Sequence, residues 1–187
     1  MMNIKEAFVN TCNVFNENDV KYVVVGGFAV NIHGYIRATE DIDFFIDKSD
    51  ENIEKIKKAL QKVFNDKSVN EINSADVEKY AVIRYGTPFN YYIDFIGNLG
   101  EKFTFKDVSE NIEKYTIENV EIPVCGLETL IKMKQTVRYK DKLDLEFLKY
   151  KEHVITKENS EKIKLQEDAF TKDLNNRLNK GKGGPKR

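Results

Sequence analysis

Residues 23–46 read Val-Val-Val-Gly-Gly-Phe-Ala-Val-Asn-Ile-His-Gly-Tyr-Ile-Arg-Ala-Thr-Glu-Asp-Ile-Asp-Phe-Phe-Ile, an apolar run, a glycine pair and two alternating carboxylates. Side chains at i and i+2 leave a strand on one face, so Asp41 and Asp43 point together while the alternate apolar residues pack behind them. Two neighbouring carboxylates repel each other. The arrangement is costly unless a cation sits between them, and a divalent metal is the usual resident.

Outward from that stretch, the near-helical spacing of Ile4, Phe8, Cys12 and Phe15 predicts an amphipathic helix over residues 3–17. Val20–Val25 reads as a short strand, broken by Gly26-Gly27 into a short helix that Gly34 closes. Asp41–Ile46 is the next strand. Asp47-Lys-Ser-Asp50 then caps a helix whose Ile53, Ile56, Leu60, Val63 and Phe64 keep one face. Asn65–Ser74 is polar and loop-like. Tyr80–Tyr85 and Phe89–Ile96, separated by Gly-Thr-Pro, read as a hairpin.

Further on, a polar helix is expected over Phe105–Tyr115 and an edge strand over Ile117–Val124, with Pro123 near its end. Leu127, Leu130, Ile131, Lys134, Val137 and Arg138 share one helical stripe, and a second helix is expected from Lys142. The fold class that follows is α/β, a mixed central twisted sheet with helices packed on it and a C-terminal helical extension. Residues 1–153 are read as the main domain and 154–187 as a charged helical extension ending in a disordered basic tail, because the last 17 residues carry six basic side chains against one acid.

The 187-residue chain is long enough to bury roughly two-thirds of its unfolded surface. Its net charge of -1 leaves no overall pull toward nucleic acid or acidic membranes, so any such attraction is local. Neither Cys12 nor Cys125 has metal-type spacing, no signal peptide is apparent, and no window approaches the roughly 20 apolar residues of a membrane span. A cytoplasmic address without membrane attachment is expected.

Strand, Gly-Gly and helix in succession expose backbone N–H groups where an anion can approach with no Cβ in the way. With two metal-ligating carboxylates about fifteen residues on, the pairing points to a nucleoside triphosphate with Mg²⁺, which is held by a few carboxylates plus substrate phosphates.

The segment from Gly26 to Asp43 resembles the minimal nucleotidyltransferases of the DNA polymerase β superfamily, and within it the AbiEii/AbiGii toxin-type branch. The resemblance covers roughly residues 20–150. It implies a polymerase β-like nucleotidyltransferase fold and transfer of a nucleotide from a triphosphate such as ATP to an acceptor hydroxyl on tRNA, protein or a small molecule. It also implies two Mg²⁺ ions, replaceable by Mn²⁺, and, for a toxin-like member, an antitoxin partner.

Residue by residue, Asp41 and Asp43 match the family's paired acids. The required third carboxylate is offered by Asp94, whose strand neighbours Ile93 and Phe95 face the other way. Together these three would be the catalytic and metal-binding residues. Gly26, Gly27, Lys134 and Arg138 would bind the nucleotide, with Arg37 and Thr39 matching the Arg-x-Thr lead-in that organises the site. The family's late motif, a lysine, an arginine, then Lys-Asp and a second Asp, is matched by Lys134, Arg138, Lys140, Asp141 and Asp144.

Two readings stand for Lys134 and Arg138: phosphate binding, or pairing with Asp141 and Asp144 that pins two helices. His33 reads as a hydrogen-bonded structural imidazole. Two rival functions are a catalytically silent nucleotide-binding module of the same fold and a phosphohydrolase, the latter short of histidine ligands with only His33 and His153.

Overall fold

The computed structural model describes residues 2–100 and 102–180, with side chains of the last helix described as far as residue 167. The expected disordered basic tail at 181–187 lies outside the described residues.

The chain opens with α1 (Ile4–Glu17), started by a reciprocal cap in which Asn3 and Glu6 satisfy each other's backbone N–H groups. Its face of Phe8, Cys12 and Phe15 is buried. Next come β1 (Tyr22–Val24), α2 (Gly26–Ile32), β2 (Asp41–Ile46) and α3 (Asp50–Phe64). Ser49 caps the start of α3, and Asn65 ends it in the left-handed conformation at φ 48°. Helices α1 and α3 pack together. Phe15, Tyr22 and Phe44 meet with ring centroids 5.1–5.5 Å apart, tying α1 to β1 and β2.

The polar stretch after α3 contains one 3-10 turn, Lys67–Glu71, and the start of α4 (Ser74–Lys79). The expected hairpin follows as β3 (Ile83–Gly86) and β4 (Tyr92–Ile96), paired antiparallel. A small ribbon of β5 (Asn98–Leu99) and β6 (Phe103–Thr104) leads into α5 (Phe105–Ser109). The helix expected over 105–115 stops there. The charged run Ile112–Ile117 is instead β7, joined to β8 (Val120–Cys125) by Glu118-Asn119, both at positive φ. A two-residue turn with both φ positive matches the twist of a hairpin, and that long-range pairing overrides the local helical pattern.

The main sheet has the order β3-β4-β2-β1-β8-β7. Strand β8 is therefore internal, and β7 is the edge; β8 meets β1 only at Val24–Val124, so Pro123 interrupts no pairing on that side. After α6 (Leu127–Met133) the chain bends, and α7 (Tyr139–Lys180) begins. That break corrects the single stripe expected from 127 to 138: Lys134 caps the end of α6 and Val137 is 92 % exposed. Compact division of the chain falls at Leu145/Glu146, inside α7. Among the described residues no helix is long and apolar enough to cross a membrane.

Strand β2 runs parallel to β4 with Asp43 opposite Asp94, and antiparallel to β1 with Val24 opposite Phe44. Ile42, Phe44, Ile93 and Phe95 are fully buried on one face of these strands. The acids occupy the other face. Along that face Asp41 and Asp43 are partly exposed while Phe45, two residues further, is fully buried. The sheet thus changes within one strand from solvent-facing carboxylates to core.

Candidate active site

Asp41, Asp43 and Asp94 each offer a carboxylate oxygen, and the three lie within 4.8 Å of one another. Parallel pairing sets this, because registered residues on adjacent parallel strands project from the same face. Thr39 donates to Asp41 through its hydroxyl at 3.1 Å, and the backbone N–H of Gly27 donates to Asp43 Oδ2 at 3.3 Å. Burial, then repulsion from Asp41 and Asp94, pushes the Asp43 carboxyl up to about 6, against the opposing pull of the Gly27 N–H and Lys134. A divalent cation would reverse that repulsion.

Both glycines are dictated by these side chains. Gly26 sits at φ +62°, and a Cβ there would lie 1.9 Å from Asp43 Oδ2. At Gly27 a Cβ would lie 2.5 Å from the Thr39 hydroxyl oxygen. So the glycine pair admits Asp43 and Thr39 as well as opening a cavity of about 320 Å³, lined by Gly26, Gly27, Arg37, Thr39, Asp41, Asp43, Lys134 and Arg138 among others. A second cavity of about 650 Å³ shares Gly26, Asp41, Asp43, Lys134 and Arg138 with the first and adds Asp94, Arg84 and apolar Val82, Ile96, Leu99, Leu130 and Met133.

Lys134 is 7 % exposed and lies 3.0 Å from Asp141 and 2.9 Å from Asp144. Arg37 grips Asp144 with Nε and Nη2 at 2.7 and 2.8 Å, a bidentate pair. Arg138 reaches Asp141 at 2.6 Å with most of its side chain in solvent. Burial pushes both acids upward, but the hydrogen bonds from Thr136, Lys134 and Arg138 on Asp141, and from Arg37 and Lys134 on Asp144, outweigh it and hold both below the usual carboxylate range. The ion pairs considered from sequence thus exist, with Arg37 as an added member. They leave Lys134 lining both cavities with its ammonium already matched.

One member of the site was not anticipated. Arg84 on β3 donates from Nε and Nη2 to the two oxygens of Asp94 at 2.8 and 2.6 Å, and Nη2 stands 3.7 Å from Asp41. Its guanidinium lies 4.9 Å from the Tyr92 ring centre. The signal was strand register, since Arg84 and Asp94 are directly opposed. His33 is buried, and its Nε2 lies 2.9 Å from the Cys125 carbonyl oxygen, away from the carboxylates' cavities.

A family model described as nucleotidyl transferase AbiEii toxin, type IV toxin–antitoxin system, matches residues 10–149. The chain belongs to the AbiEii nucleotidyltransferase toxin family. It is accordingly a nucleotidyltransferase from a toxin–antitoxin context, and the family match spans both cavities. Among solved structures, the lincosamide antibiotic adenylyltransferase LnuA in its lincomycin-bound form is similar in fold, with 16 % identity and a TM-score of 0.50 over 79 % of this chain and 97 % of that one. A Thermotoga maritima protein assigned to the nucleotidyltransferases gives 16 % identity and a TM-score of 0.42 over 80 % and 89 % of the two chains. No curated protein matches the sequence.

Proposed function

We propose that this AbiEii-family enzyme transfers a nucleoside monophosphate from a triphosphate such as ATP to an acceptor hydroxyl, with Asp41, Asp43 and Asp94 holding the divalent cations. The observation that carries the reading is the meeting of three carboxylates within 4.8 Å beside a glycine-lined cavity. The donor set is all oxygen, as Mg²⁺ or Mn²⁺ requires, and the elevated Asp43 reports a negative field that a cation would relieve. Bound there, such ions supply charge neutralisation on the phosphates and a lowered hydroxyl pKa.

The chain's own residues divide the remaining work. Lys134, next to Gly26 and Gly27 in the smaller cavity, balances the triphosphate charge, with Arg138 at the rim. Asp141 and Asp144 hold the Lys134 ammonium in place, and Arg37 fixes Asp144. Thr39 orients Asp41. Asp94, which lines the larger cavity but not the smaller, accepts the proton of the attacking hydroxyl. In-line displacement then puts the acceptor in the larger cavity beside Asp94 and the leaving pyrophosphate in the smaller one, between Gly27 and Lys134. We assign this chemistry to the unit formed by residues 1–145 and place the enzyme in the cytoplasm, where its two buried unpaired cysteines, Cys12 and Cys125, would stay reduced.

The test is to incubate the protein with each nucleoside triphosphate and Mg²⁺, measure pyrophosphate, and ask whether label enters tRNA, protein or small molecules. Release of pyrophosphate that Asp43→Ala abolishes is expected. Inorganic phosphate as the product, or turnover unaffected by that substitution, defeats the reading.

A further inference from the structure

Each acid of the cluster has a different partner: Thr39 serves Asp41, the Gly27 N–H serves Asp43, and Arg84 takes both oxygens of Asp94. The last partner is the anomaly. A guanidinium held in parallel by two N–H donors uses the lone pairs of both carboxylate oxygens that a cation would otherwise take from that side. Asp94 is 5 % exposed and has little alternative solvation, whereas the Arg84 side chain is 52 % exposed on the edge strand β3. One partner is fixed and the other can leave.

We propose that Arg84 is a built-in counter-cation that competes with the divalent metal for Asp94, so that metal uptake at this acid requires the guanidinium to swing aside. The inference rests on the metal-binding reading above. Arg84 is a positioning residue: it holds the Asp94 carboxylate by both oxygens opposite Asp43, and it sets the cation concentration at which Asp94 is handed over. Room for the movement exists, since Arg84 lines the 650 Å³ cavity and has the Tyr92 ring to rest against. The distance of 3.7 Å from Nη2 to Asp41 shows that the same charge also damps repulsion across the cluster.

A merely structural arginine pinning β3 to β4 makes a different forecast, because its removal would loosen Asp94 and weaken metal binding. Mn²⁺ titration of the full chain without nucleotide, followed by electron paramagnetic resonance, separates the two. Arg84→Gln is expected to bind Mn²⁺ about five-fold more tightly than the wild type, the size of a half-exposed charge pair. Arg84→Lys, which keeps the charge but cannot engage both oxygens at once, should fall between them and serves also if the glutamine variant folds poorly. In an Asp94→Asn background the Arg84→Gln gain should fall below about two-fold, the remainder acting through Asp41.

Equal or weaker binding by both Arg84 variants overturns the inference and leaves the metal site standing. A gain that persists undiminished with Asp94→Asn overturns it too, because the effect is then a general field and no competition for that acid. Absence of Mn²⁺ binding in every variant, wild type included, overturns this inference and the metal-binding reading together.

Discussion

Lys134 borders two groups of acids, and Asp43 in the first is shifted in the opposite direction to Asp141 and Asp144 in the second. Asp41, Asp43 and Asp94 crowd together on two strands, and Asp43 is driven up to about 6. Asp141 and Asp144, both almost wholly buried, are held below the usual range because Lys134, Arg37, Arg138 and Thr136 surround them. Burial is common to Asp43, Asp141 and Asp144 and pushes all three the same way. What differs is whether cations were built in beside them. In the first group Arg84 serves Asp94 and stands near Asp41 but forms no ion pair with Asp43, whereas both acids of the second group are paired within the chain; on the function proposed above, that separates a binding cluster from a scaffold.

The sharpest way to break this contrast is Asp43→Ala, expected to cost at least about 10³-fold in pyrophosphate release while leaving the fold intact by circular dichroism. A variant that keeps a tenth of wild-type turnover would remove Asp43 from the site. On the scaffold side, Asp144→Ala strands Lys134 and Arg37 without their shared acid, and urea unfolding is expected to show a loss of about 3–5 kcal/mol. A loss below about 1 kcal/mol would mean that the network is not holding α6 to the start of α7.

The pH response sharpens the comparison further. Asp43 has a folded value raised above its unfolded one, so its charge costs stability that is fully felt above about pH 6 and relieved as the pH falls toward about 4. Asp43→Asn in EDTA should therefore raise Tm by roughly 2–4 °C at pH 7.5 and change it little at pH 4. Asp141 and Asp144 have depressed folded values, so their contribution is complete above the unfolded value near about 4 and is lost as the pH drops through the folded one. Thermal melts of the wild type should decline steeply only below about pH 4. The smallest effect belongs to Arg138→Ala: its side chain is 74 % exposed, and the expected stability change is under about 1 kcal/mol by urea titration, with a larger effect on the apparent KM for nucleotide.

Elements with a strong period were legible in the chain. The α3 face of Ile53, Ile56, Leu60 and Phe64 and the Asp-Ile-Asp alternation of β2 both appear as read, because each depends on which side of one element a residue leaves. The helix expected over Phe105–Tyr115 forms only as far as Ser109, because nothing local reveals that Ile112–Ile117 lies along β8. Likewise Arg138 carries a helical spacing from Lys134, yet the bend after Met133 takes it out of that stripe and leaves it at a rim.

Arg84 shows the limit beside the acid cluster. Turning the hairpin on Gly86-Thr87-Pro88 would set Arg84 far from Asp94 along the ladder. The true turn is longer: Thr87 N–H donates to the Tyr91 carbonyl at 3.0 Å and Asn90 takes φ 64°, which slides the register until Arg84 and Asp94 face each other. From the order of its residues alone, this protein determined its α/β class, its paired acids and the family that its glycines and carboxylates match. Only the tertiary structure decided that Asp94 stands opposite Asp43, that Lys134 is held by two buried acids, and that an arginine already occupies the third carboxylate. Periodicity is a property of one segment, whereas strand register and the pairing of charges are settled between segments, where distance along the chain carries no information about distance in space.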